Sequence, residues 1–132
     1  MANVLYPKAK EGFIGGDLAL DTDNIKAVLV DTATYTYNVA HDFLDDIPAG
    51  ERVATSVNLT TKTITDGTFD SDDIVFSLVT GDVSEALVIY QDSGTPGTSR
   101  LIAYIDTATG LPVTPDGTNI NVAVNASGWF TI

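Results

Sequence analysis

His41 is the sole histidine of the chain, and it stands beside Asp42, Asp45 and Asp46. An imidazole works as a general base or triad member only with a nucleophile, an orienting carboxylate or a metal held against it. Here the adjacent acids read first as helix-capping and surface residues. A second acidic group, Asp70, Asp72 and Asp73 in the stretch from Asp66 to Asp73, carries hard oxygen ligands of the type Ca²⁺ takes. It lacks the glycine and bidentate glutamate offsets of an EF-hand, and the same residues favour turns through local hydrogen bonds. Glu11, Glu51 and Glu85 are the glutamates available for paired-carboxylate chemistry on sugars, and the one tryptophan lies near the C-terminus. Gly94-Thr95-Pro96-Gly97-Thr98-Ser99 is glycine-rich, but it has no lysine and no strand–loop–helix setting for a phosphate. The sequence holds no Gly-x-Ser-x-Gly elbow and no His-Glu-x-x-His pair. These residues point away from catalysis, and no cofactor or metal is expected.

Such residues would have to be positioned by strands. Ile25–Val30 is apolar on nearly every position, and Asp73–Val79 on most. Glu85–Gln91 and Arg100–Ile105 are apolar on both faces and are separated by the turn-rich Asp92–Ser99. They read as neighbouring strands joined across an exposed loop. A strand apolar on both faces needs two covers; the sources open to the second are a loop, the N-terminal segment or another subunit, and a contribution from another subunit is expected. Arg52–Thr60 and Asn119–Asn125 instead alternate, which predicts half-buried strands with Val53, Thr55, Val57 and Leu59, and Ile120, Val122 and Val124, on their inner faces. Turns are marked at Asp66-Gly67, Gly81-Asp82, Ser93-Gly94, Thr109-Gly110, Asp116-Gly117 and Ser127-Gly128. Asp-Thr-Ala-Thr occurs at 31–34 and at 106–109, each time directly after an apolar strand, and reads as a shared way of ending strands.

Helix is scarce. His41–Ile47 suits one or two turns capped by Asp42 and stopped by Pro48. Pro7–Ile14 suits a short helix ended by Gly15-Gly16, or an arm reaching a neighbour. Residues 1–16 are therefore expected to form an arm or short helix, and 17–132 a single β domain. Gly128–Ile132 reads as a terminal strand with Trp129 and Phe130 on opposite faces.

A chain of 132 residues without cysteine, 44% hydrophobic, can bury a core of its own and has no disulfide or thiol chemistry. Its formal net charge of −12 reflects 18 acidic against 6 basic residues. Lys8, Lys10, Lys26, Arg52, Lys62 and Arg100 are too few to neutralise a phosphate backbone, so nucleic acid is not an expected partner. The N-terminus lacks the basic and apolar regions of a signal peptide, and no window approaches the roughly 18 apolar residues of a membrane span. The two glycosylation sequons, at Asn58 and Asn125, are expected to be chance matches.

Asn3-Val4-Leu5-Tyr6, Asp23–Thr32 with Tyr35, His41–Ala54, Ile89-Tyr90, Leu101–Asp106 and Gly110–Gly117 together resemble a family of small virion proteins of tailed bacteriophages, described as structural or capsid decoration (cement) proteins. The likeness runs nearly end to end and carries no catalytic motif. It implies an all-β, antiparallel β-sandwich, with the jelly roll as one form of it, that binds the assembled major capsid protein shell and stabilises it. It further implies a homodimer or homotrimer on the outer capsid surface of a virion, made in the host cytoplasm, with no membrane involved. Lys8, Lys10 and Phe13 of the N-terminal segment, with Trp129 and Phe130, are the candidate contacts. Rival readings are a head–tail connector or tail protein, a virion-borne carbohydrate-binding module, and a lyase or hydrolase.

Overall fold

The computed structural model describes residues 3–132. Residues 1 and 2 of the expected N-terminal arm lie outside them. The fold is all-β with one α-helix, and every strand pair is antiparallel. In chain order the elements are β1 (Val4–Leu5), α1 (Pro7–Gly15), β2 (Ile25–Val30), β3 (Arg52–Thr55), β4 (Thr63–Thr65) and β5 (Thr68–Asp70). They continue with β6 (Ile74–Phe76), β7 (Ala86–Gln91), β8 (Leu101–Ile105), β9 (Ile120–Val122) and β10 (Phe130–Thr131), and short 3₁₀ turns lie between some of them. The strands divide into a five-stranded sheet β1-β8-β7-β2-β3, a three-stranded sheet β10-β5-β4 and the pair β6-β9. This sandwich-like arrangement differs from the four-and-four division of a jelly roll.

The large sheet is centred on the two strands expected to be neighbours. β7 pairs with β8 through Leu87↔Ile105, Val88↔Tyr104 and Ile89↔Ala103, and β2 lies on the other side of β7. The register sets Ala27, Leu29, Leu87, Ile89, Ala103 and Ile105 on one face. Val28, Val30, Ala86, Val88, Tyr90 and Tyr104 share the other, and all twelve are at most 5% exposed. Both covers come from the same chain, which corrects the expectation of a second subunit. Over the first face lies the C-terminal segment, whose Trp129 and Phe130 share a hollow with Ala103 and Ile105. Against the second sit the tyrosines of the long connection after β2: Tyr37 meets Tyr104 edge-on at 5.9 Å and Tyr6 at 4.9 Å.

The alternating segment Arg52–Thr60 departs from its pattern. β3 stops at Thr55; Ser56 is buried and Val57 is 78% exposed. Ser56 explains the reversal, because its Oγ accepts the Ala27 N–H (2.9 Å) while its own N–H bonds to the Ala27 carbonyl (2.8 Å). The side chain stands in for a backbone acceptor, so it must point inward and the next residue outward. β6 is likewise one-faced: Ile74 and Phe76 are buried, whereas Val75 and Leu78 are exposed. β9 follows expectation, with Ile120 and Val122 buried and Asn121 exposed. Asp66-Gly67 forms the two-residue β4–β5 turn, both with positive φ (51° and 78°), as a type I′ hairpin requires. Both copies of Asp-Thr-Ala-Thr begin where a strand ends, after Val30 and after Ile105.

Candidate functional site

The two ends of the chain meet. At the N-terminal end, Pro7 opens α1 with its fixed φ and no N–H to satisfy. Gly16 closes it in the left-handed conformation (φ 81°), not the Gly15-Gly16 pair together. The helix lies close against its support through Ala9 and Gly12; a Cβ on Gly12 would come within 2.9 Å of Leu18 Cδ1 and 3.2 Å of Arg100 Cδ. The Arg100 Nη1 donates to the Lys8 carbonyl (3.0 Å). Lys10, Phe13 and Ile14 share one side of α1 by helical spacing. Ile14 is 90% exposed.

At the C-terminal end, Gly128 (φ 88°) passes so close to β5 that a Cβ would lie 2.6 Å from Thr68 Cγ2 and 2.9 Å from the Phe69 carbonyl oxygen. This close approach turns Trp129 inward. It is buried, and its Nε1 donates to Ser71 Oγ (2.7 Å). Phe130 is half-buried and packs on Phe69 with ring centroids 5.6 Å apart.

Two hollows flank Phe130. A cavity of about 180 Å³ is walled by Phe13, Leu18, Ala19, Leu20, Ile64, Gly67, Phe69, Phe130 and Ile132. Its rim carries two exposed apolar side chains, Ile64 and Ile132. A larger hollow, about 460 Å³, is bounded by Asn3 to Leu5, Lys10, Ala103, Ile105 and the turn and strand from Asn125 to Thr131. Of the expected contacts, Lys10, Phe13, Trp129 and Phe130 therefore converge around this junction. Trp129 is there as a buried wall and not as an exposed contact. Lys8 is not part of it; its ammonium pairs with Glu11 at 3.1 Å on the exposed side of α1. Ile64 and Ile132 are the exposed members that reasoning from sequence missed. The hairpin signal at Asp66-Gly67 was the clue for Ile64, because it makes Thr63–Thr65 a short strand at an edge.

His41 lies elsewhere. Its Nδ1 is 2.9 Å from the Tyr35 hydroxyl, and that hydroxyl is 2.8 Å from the buried Tyr6 hydroxyl. Burial pushes the Tyr35 phenol up to about 12, and drives that of Tyr6 further in the same direction. The turn after His41 is a 3₁₀ turn, Leu44–Asp46, and its cap is Asp46, not Asp42. The Asp46 Oδ2 accepts the Asp42 N–H (2.8 Å) and the Phe43 N–H (3.4 Å). Burial pushes this carboxyl up, but those N–H bonds, with the Asp42 side chain and the His41 charge, hold it below the usual range.

The acids of the β5–β6 region are engaged in hydrogen bonds, one local and the others to neighbouring segments. Asp70 Oδ1 accepts the Ser71 N–H, Asp72 Oδ2 accepts the Thr60 and Thr61 hydroxyls, and Asp73 Oδ1 accepts the Val124 N–H. Among the described residues no three metal-ligating side chains converge. The Asp92–Ser99 tip is exposed from Gly94 to Thr98, but its base is tied down. Ser99 is buried, its Oγ donates to the Thr95 carbonyl (2.8 Å), and its carbonyl accepts the Leu44 N–H. Among the described residues no helix is long and apolar enough to cross a membrane. The chain matches no protein-family model and no curated protein.

Proposed function

We propose that this protein is a bacteriophage capsid decoration protein that docks on the assembled major capsid protein shell through the junction of α1 with β10 and stabilises it. The observation carrying this reading is the gathering of Lys10, Phe13, Phe130, Ile64 and Ile132 from both chain ends and one hairpin around two hollows of an otherwise acidic molecule, with the exposed Ile14 beside Phe13 on α1. Exposed apolar side chains around a hollow are the usual mark of a protein contact. The end-to-end resemblance to small phage virion proteins supplies the kind of partner.

A cement protein works by area and geometry. Each copy buries apolar and polar surface across a subunit junction, and many symmetric copies add up to a shell that resists expansion. The acidic remainder of the surface then faces solvent and keeps particles mutually repulsive.

Purified protein mixed with phage capsids lacking it should add regular density at capsomer junctions. Ile14→Asp should abolish that density while leaving the melting temperature unchanged, since Ile14 is almost fully exposed. Density confined to the portal vertex, rings of isolated protein, or no density would each sink the reading.

A further inference from the structure

Two sheet edges open onto the larger hollow. β1 ends the five-stranded sheet and β10 ends the three-stranded one, and both line the same cavity of about 460 Å³. In an antiparallel pair, alternate residues turn their N–H and C=O toward the partner and away from it. Tyr6 N–H bonds to the Ile102 carbonyl (2.9 Å), so by alternation Val4 faces β8 and Leu5 turns outward. The Tyr37 hydroxyl takes the outward Leu5 carbonyl (3.1 Å), which leaves the Leu5 N–H on the open edge. On β10, Ile132 N–H bonds to the Gly67 carbonyl (2.9 Å), and the Thr131↔Thr68 register then turns the Thr131 N–H and C=O away from β5. The half-buried Leu5 and Phe130 supply apolar surface at the two edges.

The charge at this hollow is unusual for the molecule. Lys8 is paired with Glu11, and Lys26 with Asp92 at 2.9 Å. Lys10, the cation on the hollow, has no carboxylate in ion-pair reach among the described residues, although the chain carries 18 acidic residues.

We infer that the cleft between β1 and β10 receives an extended, carboxylate-bearing peptide segment of the protein partner, which adds as a strand across the two open edges and sets its carboxylate on Lys10. Main-chain hydrogen bonds to Leu5 and Thr131 hold such a segment, small apolar side chains meet the half-buried Leu5 and Phe130, and the ion pair fixes its direction. This deepens the decoration reading and rests on its contact face, but it is testable without capsids.

The probe is the peptide acetyl-Thr-Val-Ser-Val-Thr-Asp-amide, whose one carboxylate is the Asp side chain, titrated into ¹⁵N-labelled protein. The expected result is saturable shifts of the Leu5, Phe130 and Thr131 amides, with a rise in melting temperature from binding to the folded state. Methylating alternate peptide nitrogens should abolish binding. Lys10→Glu in the protein, or Asn in place of the peptide Asp, should weaken it about tenfold. No shifts at millimolar peptide, shifts confined to other regions, or equal binding of the methylated peptide would each overturn the inference. Docking of the unaltered protein on capsids, alongside failure of the peptide, would remove this inference and leave the decoration reading standing.

Discussion

The Tyr6 hydroxyl lies in the core and hydrogen-bonds to another phenol, so its fate depends on Tyr35. Tyr35 can donate to His41 Nδ1 and accept from Tyr6, which satisfies the chain in one direction. Tyr35→Phe strands the buried Tyr6 hydroxyl and should cost about 1–3 kcal/mol, whereas Tyr6→Phe leaves Tyr35 its bond to His41 and should cost about 1 kcal/mol. Urea unfolding of both variants checks this; equal losses would show that the pair is not the unit. The same burial sets an alkaline limit. All five tyrosines have phenols held above the ordinary value of 10.0, with Tyr35 and Tyr90 pushed up to about 12. A phenol that holds its proton more tightly when folded contributes stability that is whole below pH 10 and is lost as pH rises above it. Phenolate absorbance should therefore appear together with loss of circular dichroism, not before it. At the acid end, the hydrogen bond from Lys26 holds the Asp92 carboxyl below 3.8. That contribution is present above pH 3.8 and lost as pH falls through the lowered value, so Asp92→Asn should flatten the acid limb of a stability–pH curve.

At the scale of elements, β10 owes its place to one glycine. Any side chain at Gly128 collides with the Phe69 carbonyl and needs a left-handed backbone besides. Gly128→Ala should thus cost about 2–3 kcal/mol, part of it strain, and should expose Trp129 to a quencher of its fluorescence. A control at Gly50, where a Cβ meets nothing within 4 Å, should be near neutral. The strands at the sheet centre were legible in sequence because β2, β7 and β8 are runs of apolar residues between turn signals, and the Asp66-Gly67 hairpin because its turn type demands those residues. Ser56 was not legible, because a hydroxyl replacing a backbone acceptor breaks the alternation and leaves no mark in residue type. The capping of the 41–47 turn was misplaced by four residues for a similar reason: Asp42 and Asp46 are the same residue type, and only the fold decides which one reaches back. The proposed contact region was half legible. Lys10, Phe13 and Phe130 stood out as residues at the chain ends, but their meeting is a product of topology, which brings α1 and β10 to the same hollow.

The molecule as a whole closes its own sheet, and this separates folding from assembly. Both faces of β7 and β8 are buried within one chain, so removing a neighbour exposes nothing at the centre. A chain that needed a second copy to cover that sheet would gain stability by mass action, and its melting temperature would climb with protein concentration. Here the melting temperature should stay constant over a hundredfold dilution into the nanomolar range, even if copies meet on a particle. Ile89→Asp distinguishes the two cases further. Ile89 is 0% exposed in the single chain, and a carboxylate there has no partner, so the variant should fail to fold at any concentration and not merely fail to associate. A soluble, folded Ile89→Asp monomer, or a melting temperature that falls on dilution, would return the second cover to another subunit. A self-sufficient fold suits the proposed role, that of a part added to a finished shell. Such a protein must be stable while free and spend its exposed surface only on arrival.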